Sequence, residues 1–245
     1  MKKRMLTAGV AVLALASCNS GANNSTVAAS GPVAAVPAPA GTEWATTVVE
    51  TPEGGMLMGN PNAPIKLVEY GSLTCPACAA FAAQGNEPLK TKYVASGKVS
   101  FEYRSLLLHG PDLMASLAIK CGGPGPFFAL MDSSYATMQT WLGQIYNLPQ
   151  AEQARIQALP AAAQNTEFAR ISGYDQFVIQ RGVSGEALAQ CLADPKKIDA
   201  LQKVREDAFN KYNVQGTPTF FINGTIVPNV ASWTDLEPQL RAAGA

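Results

Sequence analysis

Cys75 and Cys78 stand three positions apart in "TCPAC", residues 74–78, with Pro76 and Ala77 between them. Two thiols at that spacing can hold half of a metal site, form one arm of a structural disulfide pattern, or open and close on each other as a redox pair. A structural zinc site asks for four Cys or His ligands. The chain has one histidine, His109, and no second Cys-x-x-Cys. No metal is expected, and the choice between the other two readings falls to the compartment and the local backbone.

The compartment is written at the start of the chain. "MKKRMLTAGVAVLALASC" has a basic stretch, Met1 to Arg4, then a short apolar run ending in small residues, which is the layout of an export signal. The run is too short to span a bilayer as a helix. Its end, Leu15-Ala16-Ser17-Cys18, resembles the bacterial lipoprotein lipobox. Residues 1–17 are then a signal, and Cys18 is expected to carry lipid and hold the protein on a membrane by its acyl chains. The alternative is an ordinary cleaved signal with Cys18 discarded or left free. On either account the rest of the chain faces an oxidising space, where disulfides persist. Cys75, Cys78, Cys121 and Cys191 remain, an even number that two pairs account for. Cys121 follows "LMASLAIK" and Cys191 ends "GEALAQC", both in one helical stretch. They are expected to form a structural disulfide, the alternative being two free buried thiols.

The elements that must position the "TCPAC" cysteines can be read from periodicity. Residues 18–42 hold small, polar and proline residues, with no charge and no aromatic ring, and are expected to form a flexible linker behind Cys18. "TEWATTVVE" reads as an opening strand and "GNPNAP" as a turn. "IKLVEYG", Ile65 to Gly71, alternates as a strand does. A helix is expected to begin near the cysteines, followed by a second strand in "KVSFEYRSLLL". Residues 111–211 read as helices throughout, and "TPTFFING", "TIVP" and "SWTDLEPQLRAAG" close the chain as two strands and a helix. With 18 basic and 18 acidic residues, the chain lacks the basic surface that nucleic acid demands.

Three segments, "GNPNAPIKLVEYGSLTCPAC", "VSFEYRSLLLHG" and "GTPTFFING", resemble the DsbA-like branch of the thioredoxin superfamily. The resemblance implies an α/β thioredoxin fold with an inserted α-helical domain. Its first part would be 43–110, the insertion 111–211 and its second part 212–245. It also implies a thiol-disulfide oxidoreductase that works through the Cys75–Cys78 pair and needs no further cofactor.

The residues support that chemistry in their own right. The nucleophile in disulfide exchange is a thiolate, and a cysteine opening a helix is favoured in that form by unpaired N–H groups and the helix dipole. Cys75 is so placed, Pro76 fits the first helical turn, and Cys78 follows one turn on. Glu69 shares a strand face with Ile65 and Leu67, so its carboxylate is expected in apolar surroundings beneath the cysteines, where burial raises a carboxyl pKa. The resemblance assigns the acid at this spacing to proton movement at the second cysteine; a strand-end glutamate in water is the alternative. It further implies a cis Pro218 lying against the cysteines and a Thr217 backbone that binds an extended substrate segment, with Pro76 and Ala77 beside it.

Many strongly oxidising relatives carry histidine where this chain has Ala77. A weaker oxidant is therefore expected, between about −270 and about −120 mV. His109, ahead of "GPD", is expected in a loop or helix cap rather than in catalysis. The function expected is introduction of disulfides into exported proteins at the periplasmic face of a bacterial envelope membrane. The partners are reduced or unfolded exported chains and a membrane quinone-linked reoxidase, and the protein is expected to be a monomer. A reductase or isomerase of the same fold is one alternative. A Cu(I) carrier or chaperone-like envelope protein is another.

Overall fold

The computed structural model describes residues 31–245; the lipid attachment expected at Cys18 lies outside the described residues. A six-stranded mixed sheet forms the centre, in the order β1-β2-β4-β3-β5-β6. The strands are β1 (Val48–Glu50), β2 (Met56–Met58), β3 (Ile65–Gly71), β4 (Val99–Ser105), β5 (Thr219–Ile222) and β6 (Thr225–Val227). β3 and β4 run parallel at the middle, with Glu69 opposite Tyr103, and β5 pairs antiparallel on the other side of β3 with Phe220 opposite Glu69. The period of two divides β3 cleanly. Ile65, Leu67, Glu69 and Gly71 are buried on one face, while Lys66, Val68 and Tyr70 take the other.

The first of those faces receives helix α1 (Pro76–Pro88), which continues through a π turn over Leu89–Val94 before β4. Phe81 of α1 lies against Phe220, ring centroids 4.7 Å apart. Between β4 and β5 come eight helices: α2 (Gly110–Lys120), α3 (Phe127–Ala136), α4 (Met138–Tyr146), α5 (Gln150–Gln157), α6 (Ala161–Ser172), α7 (Tyr174–Ile179), α8 (Gly185–Ala193) and α9 (Pro195–Asn210). α3 joins α1 over the sheet, with Phe127 and Phe128 packed on Tyr103 and Phe101. α9 covers the opposite face through Val204 and Ala208, which pack with Tyr70 and Phe221. The closing helix α10 (Trp233–Ala242) returns to α1.

Three features differ from the sequence expectation. β2 lies in the "GGMLMGN" stretch that carried no strand expectation; three residues between glycines are too few to show a period. The opening "TEWATTVVE" is a 3-10 turn over Trp44–Thr46 before the short β1. Part of the segment expected as a free linker also lies against the domain. The Val33 N–H donates to the Gly244 carbonyl at 2.8 Å, the Val36 N–H to the Ser96 carbonyl at 3.0 Å, and the Trp44 indole to the Val36 carbonyl at 2.7 Å. Composition registers the lack of charge and rings there, whereas backbone groups and the half-buried Val33 do the docking.

Cys121, at the end of α2, and Cys191, in α8, form a disulfide with Cα atoms 5.9 Å apart. It closes a loop of 70 residues. In the chain-entropy account such a loop adds about 4 kcal/mol by restricting the unfolded chain. The double change Cys121→Ala/Cys191→Ala should therefore lower the unfolding free energy by up to that amount, read as a lower midpoint of chemical unfolding. An unchanged midpoint would show that the bond constrains nothing in the unfolded chain.

Candidate active site

Cys75 is the N-cap of α1, in extended conformation, with Pro76 at the first helical position. Proline belongs there because the N–H it lacks has no helical partner. The chain reaches this point from β3 through Ser72, Leu73 and Thr74, and the Cys75 N–H closes the turn on the Ser72 carbonyl at 3.1 Å. The structure carries both cysteines as thiols, and their environments differ. Cys75 is 9% exposed, flanked by exposed Pro76 and Ala77, whereas Cys78 is fully buried. The Cys78 thiol, hydrogen-bonded to the Cys75 sulfur, does most to bring the Cys75 pKa down to about 5. The Thr217 side chain and the Cys78 and Ala77 amides add to this effect, which outweighs burial. Cys78 moves the opposite way: burial, then the bond it gives Cys75 and the nearby Glu69, push its pKa well up. One sulfur is a ready thiolate at neutral pH and the other holds its proton.

Glu69 is 2% exposed beneath this pair. Burial chiefly, then the neighbouring Asp132 and Cys75, push its carboxyl up to about 8. A carboxylic acid that keeps its proton at pH 7 beside a buried thiol is placed to give it up to the sulfur. The solvent-exposed alternative for Glu69 does not hold.

The turn before β5 brings the far part of the chain to the cysteines. The Thr217–Pro218 peptide bond is cis, Pro218 is buried, and the Cys75 Sγ donates to the Thr217 carbonyl at 3.4 Å. The Thr217 Oγ1 is buried with no hydrogen-bond partner while Cys75 is a thiol; ionisation of the sulfur gives that hydroxyl an acceptor.

Asp112, for which the sequence reading held no role, ties the cysteine turn to the helical block. Its fully buried carboxylate accepts from the Ser72 hydroxyl at 2.9 Å, the Thr74 N–H at 3.1 Å and the Thr74 hydroxyl at 2.8 Å. It also accepts from the Leu108 and His109 N–H groups at 2.9 and 3.0 Å. His109 is the N-cap of α2, in line with the capping expectation, and its exposed ring meets the Thr74 Oγ1 through Nδ1 at 2.9 Å. The capping pattern from His109 to Asp112 was the available sequence signal; what it could not show was that the same carboxylate reaches back to the residue before Cys75. The Cys121–Cys191 bond stands elsewhere, between α2 and α8. Among the described residues, no three His, Cys, Asp or Glu side chains are arranged to hold a metal ion.

The chain is similar in structure to a protein-disulfide isomerase from Novosphingobium aromaticivorans, with 31% identity and a TM-score of 0.72 over 76% of this chain and 95% of that one. It shares its fold with alpha-DsbA1 of Wolbachia pipientis, at 22% identity and a TM-score of 0.61, covering 79% and 92% of the two chains. In sequence it is 26% identical over 178 residues to a putative protein-disulfide oxidoreductase of Rickettsia bellii. That match takes in 72% of this chain but only 60% of the rickettsial one. Residues 51–242, nearly all of the sheet and the helices inserted in it, match the family model described as thioredoxin, and the chain belongs to the thioredoxin family.

Proposed function

We propose that the protein is a thiol-disulfide oxidoreductase that introduces disulfides into exported proteins by exchange at the Cys75–Cys78 pair. The observation that carries this reading is the contrast between the two thiols: a partly exposed Cys75 with a pKa of about 5 and a fully buried Cys78 that keeps its proton. That contrast suits a pair in which one sulfur meets the partner and the other resolves it. In this reading Cys75 forms the mixed disulfide, Cys78 is the internal partner, and Glu69 exchanges a proton with Cys78. Thr217 and Pro218, with Pro76 and Ala77, form the rim on which an extended substrate segment is held. The pair carries the electrons without a further cofactor. Exported reduced chains are the substrates, a membrane quinone-linked protein restores the disulfide, and lipid on Cys18 keeps a monomeric enzyme at the periplasmic face. Among the described residues no helix is long and apolar enough to cross a membrane.

The likeness to a protein titled an isomerase supports a second reading, in which the pair works mainly in its reduced form. The reduction potential separates the two. A Cys75 pKa of about 5 favours the reduced form at pH 7. Two pH units of thiolate stabilisation correspond to at most about 60 mV, and less once solvent screening at this half-buried sulfur is included. Starting from about −270 mV, equilibration with glutathione should give about −250 to −210 mV, together with turnover on a reduced, unfolded protein. A potential at or below about −270 mV would place the protein with the reductants. Stoichiometric Cu(I) binding without turnover would make it a carrier.

A further inference from the structure

Strand and helix close over Glu69, so a proton that passes between it and water needs a route through the protein. A cleft of about 400 Å³ opens between α1 and α3, into which α1 presents Ala79, Ala82 and Ala83. Their small side chains leave room that larger ones would fill. Asp132 and Tyr135 of α3 line the opposite wall, one helical turn apart. At the cleft, the Asn86 Nδ2 donates to the Asp132 Oδ1 at 2.6 Å, while the Asn86 Oδ1 is buried with no hydrogen-bond partner. A buried acceptor without a donor beside an open space is a place for water.

Inward from there the polar atoms continue. Tyr135 is 5% exposed, and its hydroxyl meets the hydroxyl of Tyr103 at 2.9 Å. Tyr103 faces Glu69 directly across the parallel β3–β4 ladder. The Glu69 Oε1 and the Tyr103 hydroxyl lie 2.9 and 3.0 Å from one point, the position a Cβ on Gly71 would occupy. The space between the acid and the phenol exists because residue 71 has no side chain.

We propose that the Tyr103–Tyr135 hydroxyl pair, with Asp132 and Asn86 at its outer end, is the route by which Glu69 exchanges protons with water in the α1/α3 cleft. This rests on the reading of Cys75–Cys78 as a redox pair. A substrate thiolate attacks the Cys75 sulfur; the new S–S bond forms, the Cys75–Cys78 bond breaks, and the electron pair leaves on Cys78. The Cys78 sulfur takes the proton of Glu69, which becomes a carboxylate. Tyr103 then gives its proton toward Glu69, Tyr135 restores Tyr103, and water in the cleft restores Tyr135. Each hydroxyl donates one proton and accepts another, so neither ring ionises. A second substrate thiolate releases the substrate disulfide and leaves Cys75 as a thiolate. The titratable groups acting on Glu69 and the pair are Cys75 and Cys78 on α1, Tyr103 on β4, Asp112 on α2, and Asp132 and Tyr135 on α3.

Tyr103→Phe and Tyr135→Phe remove the hydroxyls and keep the rings. The measurement is the rate at which the pair is opened by dithiothreitol and closed by oxidised glutathione over repeated cycles, followed by quenched thiol labelling in H2O and D2O between pH 6 and 8. Each variant should slow opening on the order of tenfold and raise the solvent isotope effect, since general acid catalysis is worth that much or more. The equilibrium with glutathione should stay where it is, because a route changes rates and leaves end states alone. Asp132→Asn, at the cleft and less exacting for folding, should slow opening in dilute buffer and recover when imidazole is added as a small proton donor. Wild-type rates in the tyrosine variants, or in Asp132→Asn under dilute buffer, would overturn the route, as would a shifted glutathione equilibrium large enough to explain the slowing. A wild-type protein that fails to equilibrate with glutathione at all would instead remove the redox reading beneath it.

Discussion

Cys75→Ser should abolish disulfide exchange, by on the order of a thousandfold or more, while Cys78→Ala should leave the protein covalently bound to its substrates. The asymmetry follows from where the two sulfurs lie. Only Cys75 has any exposure, at 9%, and Cys78 behind it has none. With Cys75 gone, an incoming thiolate or disulfide has no sulfur to meet. With Cys78 gone, Cys75 still ionises, although less fully, because the largest contribution to its low pKa is the Cys78 thiol. The thiolate attacks a disulfide in a partner chain and forms the mixed species. Nothing inside the protein can then displace the partner, since the resolving sulfur was one helical turn away and has been removed. A band of higher mass, lost on reduction, should accumulate in Cys78→Ala and be absent from Cys75→Ser. A metal carrier makes the contrary demand: both changes should abolish binding alike and trap nothing. Equal behaviour of the two variants would sink the exchange mechanism.

How much of this site was legible in the sequence varies with the distance over which its parts act. The cysteine spacing, Pro76 and the alternation that buries Glu69 are local patterns, and each translates directly into a position on a helix start or a strand face. The approach of Thr217 and Pro218 was reached through resemblance, because no local pattern says that a turn 142 residues further on will place its carbonyl against Cys75. Asp112 was missed for the same physical reason. A helix-capping carboxylate is recognisable within its own turn, but the same two oxygens also accept from Ser72 and Thr74, on the other side of β4 in sequence. The Tyr103–Tyr135 pair is still less visible. "FEYRS" marks Tyr103 only as a strand residue, and its hydroxyl partner comes from a helix 32 residues later. The fold followed periodicity wherever an element was long. It escaped at β2, whose three residues are defined by pairing with β1 and β4 rather than by any period of their own.

The buried carboxylate of Asp112 also explains why the inserted helices matter to a site that the sheet and α1 largely build. Five donors converge on it, three of them from residues 72–74. Hydrogen bonds to a charged acceptor are about twice as strong as neutral ones. The turn that sets the direction of Cys75 is thus held by a residue of α2, and α2 is in turn bonded through Cys121 to α8. The helical block is a clamp on the cysteine turn as well as a neighbour of it.

Glu69→Gln should make the protein more stable and a poorer catalyst, and the two effects should part along the pH axis. A carboxyl that titrates near pH 8 when folded and near 4.5 when unfolded binds its proton more tightly in the folded state. Below about pH 4.5 both states hold the proton and stability is unaffected. Between about 4.5 and 8 the unfolded chain has released it and the folded chain has not, so rising pH favours unfolding by about 1.4 kcal/mol per unit. Near pH 7 the cost is about 3 kcal/mol, and above about pH 8 it stops growing. Glutamine has the same shape and no proton to lose, so its advantage in stability should open from pH 5 and level off near 8, as read by denaturant unfolding of the reduced protein at a series of pH values. A constant difference across that range would mean that Glu69 does not titrate as its burial implies. Activity should move the other way. Glutamine has no acidic proton to pass to Cys78 as that sulfur leaves, so exchange should fall on the order of a hundredfold at pH 7. Wild type should lose this advantage as pH passes 8 and Glu69 ionises, and the two rate profiles should converge there. A protein that retains such a costly group in its core at neutral pH has a use for the proton it holds, and Cys78 is the buried thiol beside it.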